Sequence, residues 1–346
     1  MSQRFNYNSI KKGKSFIIAE IGHNHQGSLK KAMDLMLAAK NCGADAVKFQ
    51  KRDNKFLYTK EFYNSAYDHH NSYGKTYGKH REFLEFGVKE YKKLIKYSKK
   101  INILIFATPF DFKSVDFLSK LKMPLYKIAS ADLTNIPLQE YIAKRNKPII
   151  LSTGGGTFGD IKRAYKNISK INKKIIILHC TASYPAKIED MNLNIIKKLK
   201  KTYKKVPIGL SDHENGIDAA SVAYMLGARV FEKHFTINRS WKGTDQSFSL
   251  EPIGLSKLIR NLKRIPLLLG SNKKMFLDSE KKPIFKMRKS IVAARDLEKN
   301  HKISLKDLAF KSPAKGIEPY KYKALINKRL KKKLIKDSYI NLKNLK

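Results

Sequence analysis

The sequence predicts an α/β protein, a (β/α)8 TIM barrel followed by a smaller C-terminal module of short strands. Three observations carry this reading. Eight short apolar runs each break into polar or charged residues at their C-terminal ends, segments of helical periodicity alternate with them, and the alternation stops near Gly270. A barrel of eight parallel strands assembles its active site from the carboxyl ends of those strands, so one pattern predicts both the architecture and the place of the chemistry.

The runs are Phe16–Glu20, Ala46–Gln50, Ile103–Thr108, Leu125–Ser130, Pro148–Thr153, Ile175–Thr181, Pro207–His213 and Arg229–His234. Between them, Leu29–Cys42 carries Met33, Leu35, Met36 and Ala39 on one stripe, and Ser114–Leu121 carries Val115, Phe117 and Leu118. Strands alternating with helices at this spacing are parallel and joined by right-handed crossovers. The competing arrangement is an open doubly wound sheet. No Gly-x-Gly-x-x-Gly turn follows the first strand, which favours the barrel.

From Lys51 to Glu82 the chain is rich in Tyr, Asn and His, with Tyr58, Tyr63, Tyr67, His69, His70, Tyr73, Tyr77 and His80. A loop of this length after the second strand is expected over the barrel mouth as a lid or interface element, although any one of these residues reads equally well as surface polarity. Beyond Gly270 a Lys-rich bridge, Asn272–Lys289, leads into short strands and turns at Ser290–Arg295, Lys302–Ser304 and Leu308–Ser312. The expected organisation is a barrel over residues 1–270, a linker over 271–288 and the small module over 289–346. A module of about sixty residues buries little core of its own and is expected to dock on its barrel or on a partner subunit.

The chain has 346 residues, of which 42% are hydrophobic, enough for a substantial core. Two cysteines, Cys42 and Cys180, are too few for a disulfide framework and lack zinc-finger spacing, which fits a reducing cytoplasm. The N-terminal stretch is polar and its first apolar segment too short for a membrane span, so a soluble cytoplasmic protein without membrane partners is expected. The formal charge of +43 arises from 72 basic and 29 acidic residues. Nucleic-acid footprints cluster on one face or in one tail. Here lysines recur in nearly every helix and loop, as at Lys92-Lys93, Lys197-Lys198 and Lys331–Lys333, so the charge reads as solvated surface. Within a site, the same excess attracts an anionic substrate.

Several strand-end residues carry chemical potential. Glu20 ends the first strand as a carboxylate suited to proton transfer or to a structural salt bridge. Lys48 and Gln50 end the second strand on one side, and Lys127 lies within Tyr-Lys-Ile-Ala-Ser of the fourth. Buried lysines are costly unless they face an anion, so two in one barrel suggest a ligand with more than one negative charge. Thr108, Ser130, Ser152, Thr153, Thr181 and Ser211 place hydroxyl donors at the same level, and Gly154-Gly155-Gly156 permits close backbone approach. His213 and His234 end adjacent strands about 4.8 Å apart. Taken singly each reads equally as a hydrogen-bonded polar residue; as a pair they suit an open Mn²⁺ or Mg²⁺ site that keeps its waters. Asp245 follows the eighth strand and is suited to a sugar hydroxyl, a water or a helix cap.

Together these segments resemble the sialic acid synthase family of phosphoenolpyruvate-dependent nonulosonate synthases. The matches run in order over nearly the whole chain: Ala-Glu-Ile-Gly-His-Asn-His-Gln-Gly, Val-Lys-Phe-Gln, Ala-Thr-Pro-Phe-Asp, Tyr-Lys-Ile-Ala-Ser, Leu-Ser-Thr-Gly, Leu-His-Cys-Thr-Ala-Ser-Tyr-Pro, Leu-Ser-Asp-His, Glu-Lys-His-Phe-Thr and Gly-Thr-Asp-Gln-Ser-Phe-Ser-Leu-Glu-Pro. The final module resembles the antifreeze-like SAF domain of that family. The resemblance implies condensation of phosphoenolpyruvate with an N-acyl amino-hexose such as N-acetylmannosamine, in a homodimer whose small module closes the partner's barrel. By motif position, Lys48, Thr108, Lys127, Ser130, Ser152 and Ser211 would hold phosphoenolpyruvate, Gln50, Tyr184 and Asp245 would contact the sugar, and His213 and His234 would bind the metal.

Three positions depart from the family pattern. Asp132 stands where many members carry Glu, Ala182 where many carry Asn, and Lys311-Ser312-Pro313-Ala314 where an Arg usually precedes Pro-Gly. Asp132 and Lys311 are therefore expected substrate contacts of altered reach, with Lys311 or Lys315 supplying a point charge without guanidinium geometry. Two other readings compete: a Schiff-base aldolase using Lys127, which leaves the histidine pair without a role, and a nucleic-acid-binding protein, which leaves the strand-end polar residues unexplained.

Overall fold

The computed structural model describes residues 5–346. All eight runs form parallel strands: β1 (Phe16–Gly22), β2 (Ala46–Lys51), β3 (Leu104–Pro109), β4 (Tyr126–Ile128), β5 (Ile149–Ser152), β6 (Ile175–Cys180), β7 (Ile208–Asp212) and β8 (Val230–His234). They pair in sequence order, and β8 closes on β1 with Glu20 opposite His234. The closed ring excludes the open doubly wound sheet.

Side-chain alternation divides the barrel interior into two levels. Phe16, Ile18, Ala46, Leu104, Phe106, Leu125, Ile150, Ile176, Leu178 and Val230 form a buried apolar floor. Two residues further along the strands, Glu20, Lys48, Thr108, Lys127, Ser152, Cys180 and Glu232 line a polar cavity. The floor excludes water beneath the polar level and lowers its dielectric. Phe106 is fully buried there, and truncation to Ala would cost roughly 3–5 kcal/mol. An outer core lies between strand backs and the surrounding helices. The helix Leu29–Cys42 runs over the predicted span, capped by the Ser28 hydroxyl, which accepts from Lys31 N, and by Gly43 at φ 92°.

Several elements differ from expectation. The fourth run pairs over only three residues, because Ser130–Asp132 turns into a 3₁₀ helix. His213 lies one residue past β7. The polar N-terminal stretch contains a short helix, Tyr7–Lys11, whose Ile10 joins the apolar floor while the Tyr7 hydroxyl donates to Ile175 O at 3.1 Å. The long connection after β2 holds short helices at Asn54–Leu57, Lys60–Asn64 and Tyr77–Leu84. It is tied to the loop after β8: Tyr73 Oη donates to Lys242 O at 2.6 Å and Gly243 N to Asn71 Oδ1 at 2.9 Å.

The chain divides into two compact units, the first ending at Leu269 and the second covering Gly270–Lys346. In the second, β9 (Ser290–Ala293) and β10 (Leu308–Lys311) pair antiparallel. Ten buried apolar residues, among them Ile291, Leu297, Leu330 and Ile340, give this unit a core of its own. Its buried Asp307 accepts from Arg295 Nη2 at 2.7 Å and from Ser304 N at 2.9 Å, with His301 Nε2 at 2.9 Å. The Lys-rich bridge carries a helix, Lys281–Met287.

Candidate active site

The polar level opens into a cavity of about 730 Å³ at the carboxyl ends of the strands. Two lysines and two carboxylates meet at its base. Lys48 Nζ lies 2.8 Å from Glu20 Oε2, 3.0 Å from Thr108 Oγ1 and 3.7 Å from Glu232 Oε1. Lys127 Nζ donates to Ser152 Oγ at 2.6 Å and lies 3.5 Å from Glu232 Oε1, which also accepts from Ser211 Oγ at 3.0 Å. Glu232 therefore sits between both ammonium groups. Sequence reasoning missed it as a site residue, yet it lies two positions before His234, so strand alternation places both on the interior side.

The two carboxylates titrate in opposite directions. Burial raises the Glu20 carboxyl above its ordinary pKa, and Lys48 offsets this only in part. Burial also opposes ionisation of Glu232, but Lys127 and Lys48 outweigh it and hold this group at about 2. Such a divergence separates a group able to hold a proton from one that stays anionic. Burial lowers the Lys127 pKa, against the pull of Glu232, while Glu20 and Glu232 raise that of Lys48 in spite of its burial.

Gln50 Nε2 donates to Glu20 Oε1 at 2.8 Å, and Gln50 Oε1 accepts from Arg52 Nη2 at 2.7 Å. Gly22, at φ +50°, lets these groups converge: an added Cβ would lie 3.2 Å from Gln50 Nε2 and from Glu20 Oε1, and 3.4 Å from Asp245 Oδ2. On the opposite wall Ser130 Oγ accepts from Gly154 N at 3.0 Å. A Cβ at Gly154 would meet Ala182, Ser130 and Cys180 within 3.0 Å, so glycine is required there.

His213 and His234 stand with ring centroids 5.4 Å apart, and Tyr184 covers His213 at 4.2 Å. Burial and mutual repulsion hold His213 at about 4, and burial holds His234 at about 4, so both are neutral at physiological pH. His213 Nδ1 faces the Thr181 carbonyl at 2.8 Å, which assigns the proton to Nδ1 and leaves the Nε2 lone pair available. His234 Nδ1 has no hydrogen-bond partner among the described residues, and Asp245 Oδ2 lies 3.6 Å away. Two neutral imidazoles with available lone pairs fit an open divalent site. No group of three or more His, Cys, Asp or Glu suited to a metal occurs among the described residues, so the remaining positions would fall to water and substrate.

The cavity thus brings together Glu20, Lys48, Gln50, Thr108, Lys127, Ser130, Ser152, Tyr184, Ser211, His213, His234 and Asp245. One expected contact, Asp132, is not among its lining residues. It turns aside in the 3₁₀ helix, where its carboxylate accepts from Asn135 Nδ2 at 3.0 Å. Lys311, expected at the sugar site of a partner copy, is exposed on β10 and ion-paired with Asp337. Thr153 and Thr181 spend their hydroxyls on the carbonyls of Leu178 and Asp190. Besides Glu232, the unforeseen lining residues include Cys180, Arg52 and Arg81.

Fold and cavity define a TIM-barrel enzyme with a polar, cation-rich centre above an apolar floor. Residues 35–274 match the NeuB family and residues 288–346 the SAF domain, and the chain belongs to the NeuB family. It is 37% identical over 316 residues to the N-acetylneuraminate-9-phosphate synthase of Homo sapiens, covering 91% of this chain and 88% of that protein. To the N,N'-diacetyllegionaminic acid synthase of Campylobacter jejuni it is 38% identical over 331 residues, covering 94% and 99%. The crystal structure of the N-acetylneuraminic acid (sialic acid) synthetase from Leptospira borgpetersenii aligns with a TM-score of 0.67 at 36% identity, over 79% of this chain and 90% of that one.

Proposed function

We propose that this protein condenses phosphoenolpyruvate with an N-acyl amino-hexose of the N-acetylmannosamine type, giving a nonulosonic acid and inorganic phosphate. The observation that carries the reading is the convergence of Lys48 and Lys127, with their hydroxyl partners, on one cavity that also holds the His213–His234 pair. Lysines and hydroxyls hold a small polyanion by charge-assisted hydrogen bonds without reacting covalently. The names of the synthases among its relatives supply the product class.

In this reading Lys48, Thr108, Lys127, Ser130, Ser152 and Ser211 bind phosphoenolpyruvate, while Gln50, Tyr184 and Asp245 orient the sugar. C3 of the enol attacks the aldehyde carbon, the new C–C bond forms, and the aldehyde oxygen takes a proton. Water adds at C2, which bears the developing positive charge, and loses a proton. The tetrahedral carbon then breaks its C–O bond to phosphate, its hydroxyl proton passes to the departing phosphate, and the carbon becomes the 2-keto group. Glu20, raised toward neutrality by burial, is placed to hold the proton released by that water. Glu232 stays anionic and keeps both ammonium groups in register. His213 and His234 would hold a Mn²⁺ or Mg²⁺ ion, which when bound supplies a Lewis acid for the aldehyde oxygen. The reading includes a homodimer in which Lys311 serves the sugar site of the other copy.

The test is phosphate release from phosphoenolpyruvate across a panel of N-acyl hexosamines, with and without chelator. Metal-dependent release with at least one sugar is expected; no release with any of them overturns the reading.

A further inference from the structure

A buried ion pair that the reaction above does not use stands beside the two histidines. Asp212 and Lys233 occupy directly paired positions on β7 and β8, with Lys233 Nζ 2.8 Å from Asp212 Oδ2. They are 3% and 2% exposed, and neither lines the cavity. Their chain neighbours Ser211, His213, Glu232 and His234 all do, so side-chain alternation turns this pair away from the cavity, behind the imidazoles.

The pair closes on the backbone around His213. Asp212 Oδ1 accepts from Glu214 N at 2.9 Å, and Lys233 Nζ donates to the Glu214 carbonyl. The residues before and after His213 are thereby fixed to the residue before His234. The two histidines differ in how the sheet holds them. His234 pairs with Glu20 across the β8–β1 ladder, whereas the β7–β8 ladder ends at Asp212 and His213 lies one residue beyond it. Two further bonds of His213, from Nδ1 to the Thr181 carbonyl at 2.8 Å and from Ala186 N to the His213 carbonyl at 3.0 Å, run to the connection after β6. The ion pair supplies the tie to β8.

Stability alone does not account for such a pair. Taking both charges out of water costs about as much as their attraction returns, and apolar side chains of similar volume often serve as well. What the pair adds is geometry. Two imidazoles share one ion only when both lone pairs are directed at it to within about 0.5 Å, and outer groups that orient metal ligands are worth roughly 10–100-fold in affinity. We propose that Asp212 and Lys233 are positioning residues that set the separation of His213 and His234, and through it the affinity of the site for a divalent ion. This rests on the metal-assisted condensation proposed above, in which the two histidines are the ligands.

The experiment titrates Mn²⁺ into the full chain, reading free Mn²⁺ by its electron paramagnetic resonance signal, and records urea unfolding of the same preparations. It compares the wild type, His213→Ala and the double variant Asp212→Asn/Lys233→Met. The double variant removes both charges at similar volume, and its Asn oxygen still accepts from Glu214 N. Its Kd for Mn²⁺ should rise about tenfold while its unfolding midpoint stays close to that of the wild type. An unchanged Kd overturns the positioning role, and so does a rise that only tracks loss of folded protein. Asp212→Asn alone, which leaves Lys233 its bond to the Glu214 carbonyl, keeps the test open if the double variant does not fold: a rise of about threefold or more supports the role and an unchanged Kd overturns it. A wild type that does not bind Mn²⁺, or that binds it no better than His213→Ala, overturns the metal reading itself, and the positioning role falls with it.

Discussion

Lys48 and Glu20 occupy directly paired positions on β2 and β1, with the ammonium 2.8 Å from the carboxylate and both groups buried. The pair joins a cation suited to substrate to a carboxyl group that burial pushes toward its protonated form. Replacing Glu20 with Gln removes a proton acceptor and preserves the shape of the site. Steady-state kinetics of Glu20→Gln should show kcat lowered by roughly 100-fold or more with little change in KM for phosphoenolpyruvate. Retention of kcat would remove Glu20 from proton transfer.

Acid should destabilise the protein in two stages. His213 and His234 are each held at about 4, below the ordinary histidine value, so their contribution to stability is complete above about 6.5 and is lost as pH falls toward 4, up to about 3 kcal/mol for each group. Glu232, held at about 2, contributes stability that is complete above the ordinary glutamate range near 4.5 and is lost between there and about 2. Urea unfolding across pH 7 to 4 should show the first loss, and His213→Asn should flatten it. An unchanged profile in that variant would place the acid sensitivity elsewhere.

Lys127 has a lowered pKa, which keeps the Schiff-base reading in view. Its ammonium is nevertheless held by Ser152 at 2.6 Å and faces Glu232 at 3.5 Å, as expected of a binding group. Borohydride reduction in the presence of pyruvate should leave the mass of the peptide containing Lys127 unchanged. A stable adduct there would favour the aldolase.

Asp132 is held by Asn135 and is absent from the cavity wall. Asp132→Asn should leave KM for both substrates within about twofold and change stability by less than about 1 kcal/mol, because the amide oxygen still accepts from Asn135. A large rise in either KM would return Asp132 to the substrate.

Strand periodicity made most of the site legible from sequence. Glu20, Lys48, Gln50, Thr108, Ser152, Ser211 and His234 are interior because every second residue of a barrel strand is, and each stands near a carboxyl end. Glu232 obeys the same rule two residues before His234, but a carboxylate between two lysines shows its role only once β4, β2 and β8 are brought together in space. Arg81 carries no such signal. It reaches the cavity from a helix inside an irregular connection, through contacts with His23 and Tyr77 that no local pattern encodes. Asp132 lies off the cavity wall because the fourth strand ends at Ile128 and the 3₁₀ turn that follows breaks the alternation.

In the proposed function a doubly anionic three-carbon molecule and a divalent ion share this cavity. A crystal structure with phosphoenolpyruvate and Mn²⁺, recorded with anomalous scattering from manganese, tests it most directly. One strong anomalous peak bound by His213 and His234 is expected, with the phosphate and carboxylate of phosphoenolpyruvate held by Lys48, Lys127 and Ser152. Manganese bound away from the two histidines, or phosphoenolpyruvate bound outside the barrel mouth, would contradict it.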